Sequence, residues 1–241
     1  MKPNLPILFA VSACCILAIG GATAGCGASS GARSATVTAA AQMPAQAAAP
    51  ASAAKSLFDG KSLKGWKDSN FAGGGEVRVE PDFKGQGPVI WIDAGQSLSG
   101  ITFTNPVPKT DFEITVEALK IQGNDFFVGL TFPVGAAHAT LVLGGWGGAT
   151  TGISSIDGQD ASENDTTKFL TYEKNKWYRI RMKVTAKKLE TWLNDEKIVN
   201  QDISDRRISM RFGEIENSIP LGIATYQTTT VIRKVEIKPT Q

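Results

Sequence analysis

The chain has 241 residues, with 25 Lys and Arg against 23 Asp and Glu. Residues 1–55 hold three of the positive charges and no acidic one, so Ser56 to Gln241 carry 22 against 23, a net of −1. That balance excludes the basic field a nucleic-acid partner needs, and the length suits one domain able to bury roughly 70% of its unfolded surface. The three cysteines, Cys14, Cys15 and Cys26, precede that domain, which excludes disulfides and thiolate metal sites from it.

In chain order, residues 1–26 read as a signal peptide: Lys2, an apolar run from Leu5 to Ile19, then small residues, too short for a stable membrane span. Ala24, Gly25 and Cys26 match the end of a bacterial lipobox, with Thr23 where leucine is usual. Lipidation of Cys26 and plain cleavage are the two alternatives, and the protein is expected in the periplasm or outside the cell, anchored to the envelope in the first case. Residues 27–55 are almost all Ala, Ser, Thr, Gly, Gln and Pro and are expected to form a disordered tether.

From residue 56 the pattern is β. "EVRVEPDF" alternates Val77 and Val79 with charge, "FEITVEALKI" alternates Phe112, Ile114 and Val116 with Glu113, Thr115 and Glu117, and "YRIRMKV" alternates Tyr178, Ile180, Met182 and Val184 with Arg179, Arg181 and Lys183. Period two puts one face of each strand on a core and the other in water. "NDFFVGLTFPV" and "HATLVLGGW" are apolar throughout, as strands covered on both faces and central in a sheet should be. "KLETWLNDEKIVNQD" reads as a hairpin turning at Asn194-Asp195. No window shows helical recurrence, so the expected fold is an all-β antiparallel sandwich in one domain, 56–241. Trp66, Trp177 and Trp192 are assigned to its core.

The run at 144–169, "GGWGGATTGISSIDGQDASENDTTKF", stands out. It is read as a polar excursion from the end of a central strand, where a site is often built on a rigid frame. Trp146, between glycine pairs, has an indole face left bare for stacking on a sugar ring, or else plugs the end of the sandwich. Asp157, Asp160 and Glu163 are the densest supply of carboxyl groups, with Asp125 at the mouth of the preceding strand and Asn164 beside them. Asp157, Asp160 and Glu163 are the candidate acid, base or orienting groups for glycoside hydrolysis, which ordinarily needs two carboxyls, and Asp125 and Asn164 are candidate substrate-binding groups; the bland reading is a solvated acidic loop. "DGQDASEND" also offers oxygens for Ca2+, though without EF-hand spacing. The expectation is no cofactor, with Ca2+ held as an alternative. His138, the only histidine, is a candidate base or a plain edge residue. Arg181 would bind a sugar hydroxyl if its strand face borders the groove, and is otherwise a solvated charge.

"SLFDGKSLKGWK" (56–67) resembles the N-terminal signature of the 3-keto-disaccharide hydrolase family, through Leu57, Phe58, Asp59, Gly60, Gly65 and Trp66. "NKWYRIRMKVTAKKLETWLNDEKIV" is similar to that family's Trp-x-x-Tyr-x-Ile strand and following Trp-Leu-Asn strand, and "IPLGIATYQTTTVIRKVEIKP" to its closing strands. The resemblance implies a concanavalin A-like, laminarinase-like jelly roll acting on 3-keto-glycosides, whose oxidised C3 acidifies the proton on C2. Laminarinase-type Glu-x-Asp-x-x-Glu is approached only by "ENDTTK", where Lys168 replaces the last glutamate.

In the middle the chain departs from the family. Typical members carry an Asn-Ser-Gly-Ile strand ending in an inward arginine and a Tyr-Glu-x-Gln strand ending in aspartate; here those stretches read "GNDFFVGLTF" and "HATLVLGGWGG". The 144–169 run takes their place, as a replacement site or the mark of a lost one. Two functions follow: an exported enzyme cleaving 3-keto-glycosides or related sugars, or a non-catalytic lectin-like module, both with a carbohydrate partner.

Overall fold

A computed structural model describes residues 53–240. The segment read as a signal peptide, Cys26 and nearly all of the residues read as a tether lie outside the described residues. Fifteen strands run in chain order: β1 (Lys55–Ser56), β2 (Trp66–Asp68), β3 (Val77–Glu80), β4 (Val89–Ile92), β5 (Leu98–Phe103), β6 (Phe112–Gln122), β7 (Val128–Val134), β8 (Ala137–Gly145), β9 (Thr150–Ser154), β10 (Lys168–Phe169), β11 (Trp177–Val184), β12 (Lys188–Leu193), β13 (Glu196–Asp202), β14 (Leu221–Tyr226) and β15 (Thr229–Pro239). The one helical turn among the described residues is a 3-10 segment, Glu214–Ser218.

The strands form two antiparallel sheets, a jelly-roll sandwich. The back sheet has the order β13-β12-β11-β6-β15-β4-β3, with β1 also on β15; the front sheet has the order β10-β9-β8-β7-β14-β5-β2. Alternation decides what lies between them. On β11 the odd-numbered Arg179, Arg181 and Lys183 leave the core face to Tyr178, Ile180, Met182 and Val184, all buried. The "FDG…GW" opening is structural: Trp66 donates its indole N–H to the Leu57 carbonyl at 2.7 Å. Burying Trp66 and Phe58 contributes about 2–3 kcal/mol each. The hairpin forms as read, turning at Asn194 with φ +55.

Two of the tryptophans placed in the core by sequence belong elsewhere. Trp192 is on the outer face of the back sheet, with Arg181 at 4.3 Å and Lys197 at 4.8 Å from its ring centroid. Trp177 packs edge-on against Phe83 in a small cluster outside the main core, with Arg233 over its ring at 4.3 Å. Alternation predicts two faces, and both residues fall on the outer one.

The two apolar runs are β7 and β8, central in the front sheet and buried on both faces. Their outward positions fall into register as Thr102, Gly222, Thr131, Thr140 and Ser154 in one row, and Gly100, Ala224, Gly129, Val142 and Gly152 in the next. Small side chains on an outer face let other segments lie directly on the sheet. The 155–167 loop does so at one edge: a Cβ on Gly152 would stand 2.8 Å from the Ala161 carbonyl oxygen. Ser218 does so at the other, where a Cβ on Gly222 would stand 2.7 Å from Ser218 Cβ.

Candidate functional site

The connection from β13 to β14, residues 203–220, crosses the outer face of the front sheet as a strap. At the β9 side Ser155 and Ser209 exchange backbone hydrogen bonds (2.8 and 3.2 Å), and Met210 Sδ lies 3.7 Å from Thr140 Oγ1. At the far side Thr102 Oγ1 donates to the Asn217 carbonyl at 2.8 Å, and Glu214 Oε1 accepts the Ala72 N–H at 3.0 Å. Between strap and sheet, on the side of the β8–β9 turn, opens a groove of about 480 Å3. Its floor includes Thr140 and Val142; its walls are Phe126, Trp146, Phe212 and Tyr226; Asp125, Arg211 and Glu214 are its charged groups.

Trp146 heads the β8–β9 turn with φ +50, a left-handed conformation that costs an L-residue about 1–2 kcal/mol. Gly144, Gly147 and Gly148 around it also have positive φ. The turn is held by Asp125, whose Oδ1 accepts the Phe126 N–H at 2.8 Å and whose Oδ2 accepts the Gly147 N–H at 3.0 Å. Trp146 is 45% exposed, and the Arg211 guanidinium lies 5.9 Å from its ring centroid. Arg211 is tied in turn to Asp160 Oδ2 at 2.5 Å. Asp160 Oδ1 accepts from Ser154 Oγ at 2.6 Å and Ser155 Oγ at 3.2 Å. The structure therefore brings together Trp146, Asp125 and, through Arg211, Asp160.

The other candidates are placed differently. The 144–169 run is not one excursion: "TTGIS" is β9, so Trp146 and Asp157 lie off opposite ends of a five-residue strand roughly 17 Å long. Asp157 clamps the strap: its Oδ1 accepts the Arg207 N–H at 2.7 Å, and its Oδ2 meets the Arg206 guanidinium at 2.5 Å. The Arg207 N–H, then Arg206, hold its pKa below the usual aspartate value. Glu163 is exposed, its carboxylate paired with no described residue. Asn164, read as a ligand group, is buried inside the loop. Its amide donates to the carbonyls of Ile153, Gln159 and Asp160, and its oxygen accepts from Thr166 N and Oγ1, so the side chain has nothing left for a sugar.

His138 shares the outer face of β8 with Thr140 and Val142 but lies one step beyond the strap and does not line the groove. Burial, then Lys109, lowers its pKa. Arg181 is corrected outright: it is on the outer face of the other sheet, paired with Glu113 at 3.3 Å and stacked on Trp192. The oxygens considered for Ca2+ on Asp157 and Asp160 face guanidinium groups, and among the described residues no three His, Cys, Asp or Glu side chains converge as a metal site would require.

The sequence reading missed Phe126, Tyr226 and the strap residues Arg211, Phe212 and Glu214. One signal was present: 18 residues between β13 and β14 without strand alternation, when connections above about 12–15 residues are uncommon and usually functional or disordered.

Residues 53–238 match the family described as 3-keto-alpha-glucoside-1,2-lyase-like domain. No curated protein is similar to the chain at a meaningful level. Among solved structures the fold is similar to an apo Crh5 transglycosylase, at 9% identity and TM-score 0.53, covering 79% of this chain and 85% of that one. It is also similar to a putative glycosyl hydrolase from Parabacteroides distasonis (16%, TM-score 0.49, 78% and 94% covered) and to the carbohydrate binding module CBM66 from Bacillus subtilis (13%, TM-score 0.49, 72% and 95% covered). At these identities the likenesses concern the fold alone.

Proposed function

The chain belongs to the 3-keto-alpha-glucoside-1,2-lyase-like domain family, and from that premise we propose that the groove beneath the strap binds a 3-keto-glucoside or related glycoside and cleaves it by elimination. The observation that carries this reading is the meeting of an exposed indole (Trp146), a fixed carboxylate (Asp125) and a guanidinium (Arg211) in one groove. Trp146 stacks on the sugar. Asp125, both oxygens oriented by backbone N–H groups, takes the proton from C2, which the C3 ketone acidifies. Arg211, oriented by Asp160, faces the negative charge that develops on the keto oxygen. The C1–O bond then breaks, its electron pair leaves with the aglycone oxygen, which takes up a proton, and C1=C2 forms. Neither water nor an oxidant is consumed. Two-carboxylate hydrolysis through Asp157, Asp160 and Glu163 is less favoured, because the first two are committed to arginines and the third is exposed outside the groove.

A lectin-like module is the second reading, favoured because both oxygens of Asp125 and of Asp160 are already engaged by protein groups. Export, with or without a lipid at Cys26, belongs to both readings on the strength of residues 1–26. Methyl 3-keto-α-glucoside deuterated at C2 separates them. An enzyme releases methanol, loses the label and shows a primary isotope effect, and Asp125→Asn lowers the rate by roughly 10²-fold or more. Binding without methanol release by the wild type selects the lectin; full activity in Asp125→Asn removes Asp125 as the base.

A further inference from the structure

Phe212 lines the groove yet is 94% exposed, more than any other large apolar side chain of the described residues. Phe126 and Tyr226, in the same groove, pack on each other with centroids 5.9 Å apart; no aromatic ring among the described residues packs on Phe212. A ring so placed adds almost nothing to the fold.

Its position is nonetheless fixed by construction. The strap is pinned before it, where Asp157 and Ser155 hold Arg207 and Ser209, and after it, where Glu214 accepts the Ala72 N–H and Ser218 rests on Gly222. The next residue, Gly213, has φ +127 and ψ −164, a region essentially open to glycine alone. No atom lies within 4 Å of where its Cβ would stand, so backbone conformation rather than crowding asks for glycine there. That conformation sets how Phe212 leaves the strap. Its neighbour Arg211 reaches to 5.9 Å from the Trp146 ring centroid, and the two exposed rings line one groove from different elements, Trp146 from the sheet turn and Phe212 from the strap.

Resting on the glycoside reading above, we propose that Phe212 is a second stacking platform, which adds its face to that of Trp146 in holding the sugar of the ligand. A pyranose ring presents C–H groups on each side, and each suits the negative face of an aromatic π-system.

The test is calorimetric titration of the 53–241 domain's parent chain, full length, with the C-glycosidic analogue of methyl 3-keto-α-glucoside, which has no leaving group. Phe212→Ala should weaken binding roughly 3- to 10-fold, the effect of losing one aromatic contact, with an unchanged melting temperature. Phe212→Trp should retain wild-type affinity. Wild-type affinity in Phe212→Ala, alongside weakened binding in Trp146→Ala, overturns the role of Phe212 and leaves the groove reading standing. Absence of binding by the wild type overturns both.

Discussion

Removing the Asn164 side chain tests whether the acid-rich loop is architecture rather than a ligand site. Asn164 Nδ2 lies 2.7, 3.0 and 2.8 Å from the carbonyl oxygens of Ile153, Gln159 and Asp160, and Oδ1 accepts from Thr166 N at 3.0 Å and Thr166 Oγ1 at 2.6 Å. Thr166 Oγ1 in turn accepts the Ile153 N–H at 2.8 Å. The two side chains thus satisfy both polar backbone groups of Ile153 on the edge of β9 where the two-residue β10 has ended. An edge left open there would present unpaired backbone groups inside the fold. With two amide hydrogens shared among three carbonyls, Asn164→Ala removes about four hydrogen bonds, each worth about 1 kcal/mol net, and leaves the Ile153 carbonyl and Thr166 N–H buried without partners. The expected loss is about 3–5 kcal/mol, or roughly 6–20 °C in melting temperature for a domain of this size. Urea and thermal unfolding followed by circular dichroism measure it. Asn164→Asp keeps the acceptor for Thr166 but sets a carboxylate oxygen against three carbonyls, so it should be no better at neutral pH. A loss below about 1 kcal/mol with an unchanged m-value would refute the argument and return Asn164 to the list of groups free to meet a ligand.

Gly152→Ala places a methyl group 2.8 Å from the Ala161 carbonyl oxygen and 3.0 Å from Thr166 Oγ1, and should cost about 1–3 kcal/mol by forcing the loop off the sheet; wild-type stability would mean that the loop gives way freely. The low folded-state pKa of Asp157, set first by the Arg207 N–H and then by Arg206, means that the unfolded chain binds more protons as pH falls. Its stabilisation is complete above the ordinary aspartate value of about 3.9 and disappears as pH drops through the folded value. Asp157→Asn should therefore be less stable than wild type at pH 7, with the gap closing below pH 4; parallel urea midpoints across that range would show that the clamp on Arg206 and Arg207 does not stabilise the fold.

Period-two alternation reports which side of a strand is dry, and so the sandwich could be read from β6, β11 and the β12–β13 hairpin. It does not say which wet face a later segment will cover. Arg181 and Thr140 both point outward from their strands; one faces open solvent across the back sheet, the other lies under the strap. Only the positions of residues 203–220 separate them, and that segment has no period to read. The same blindness hid β9. Its residues, Thr150, Thr151, Gly152, Ile153 and Ser154, are buried on both faces, but one cover is a loop that supplies hydrogen-bonding groups, so the strand can be small and polar where a strand between two apolar layers must be Val- or Leu-rich. In sequence the strand and its cover merge into one polar run, and Asp157 and Asp160 look like a cluster of free acids. In the fold each is claimed by an arginine of the strap, Asp157 by Arg206 and Asp160 by Arg211. The loop's carboxylates position the strap, and the strap brings to the groove the guanidinium and the phenyl ring that line it together with Trp146.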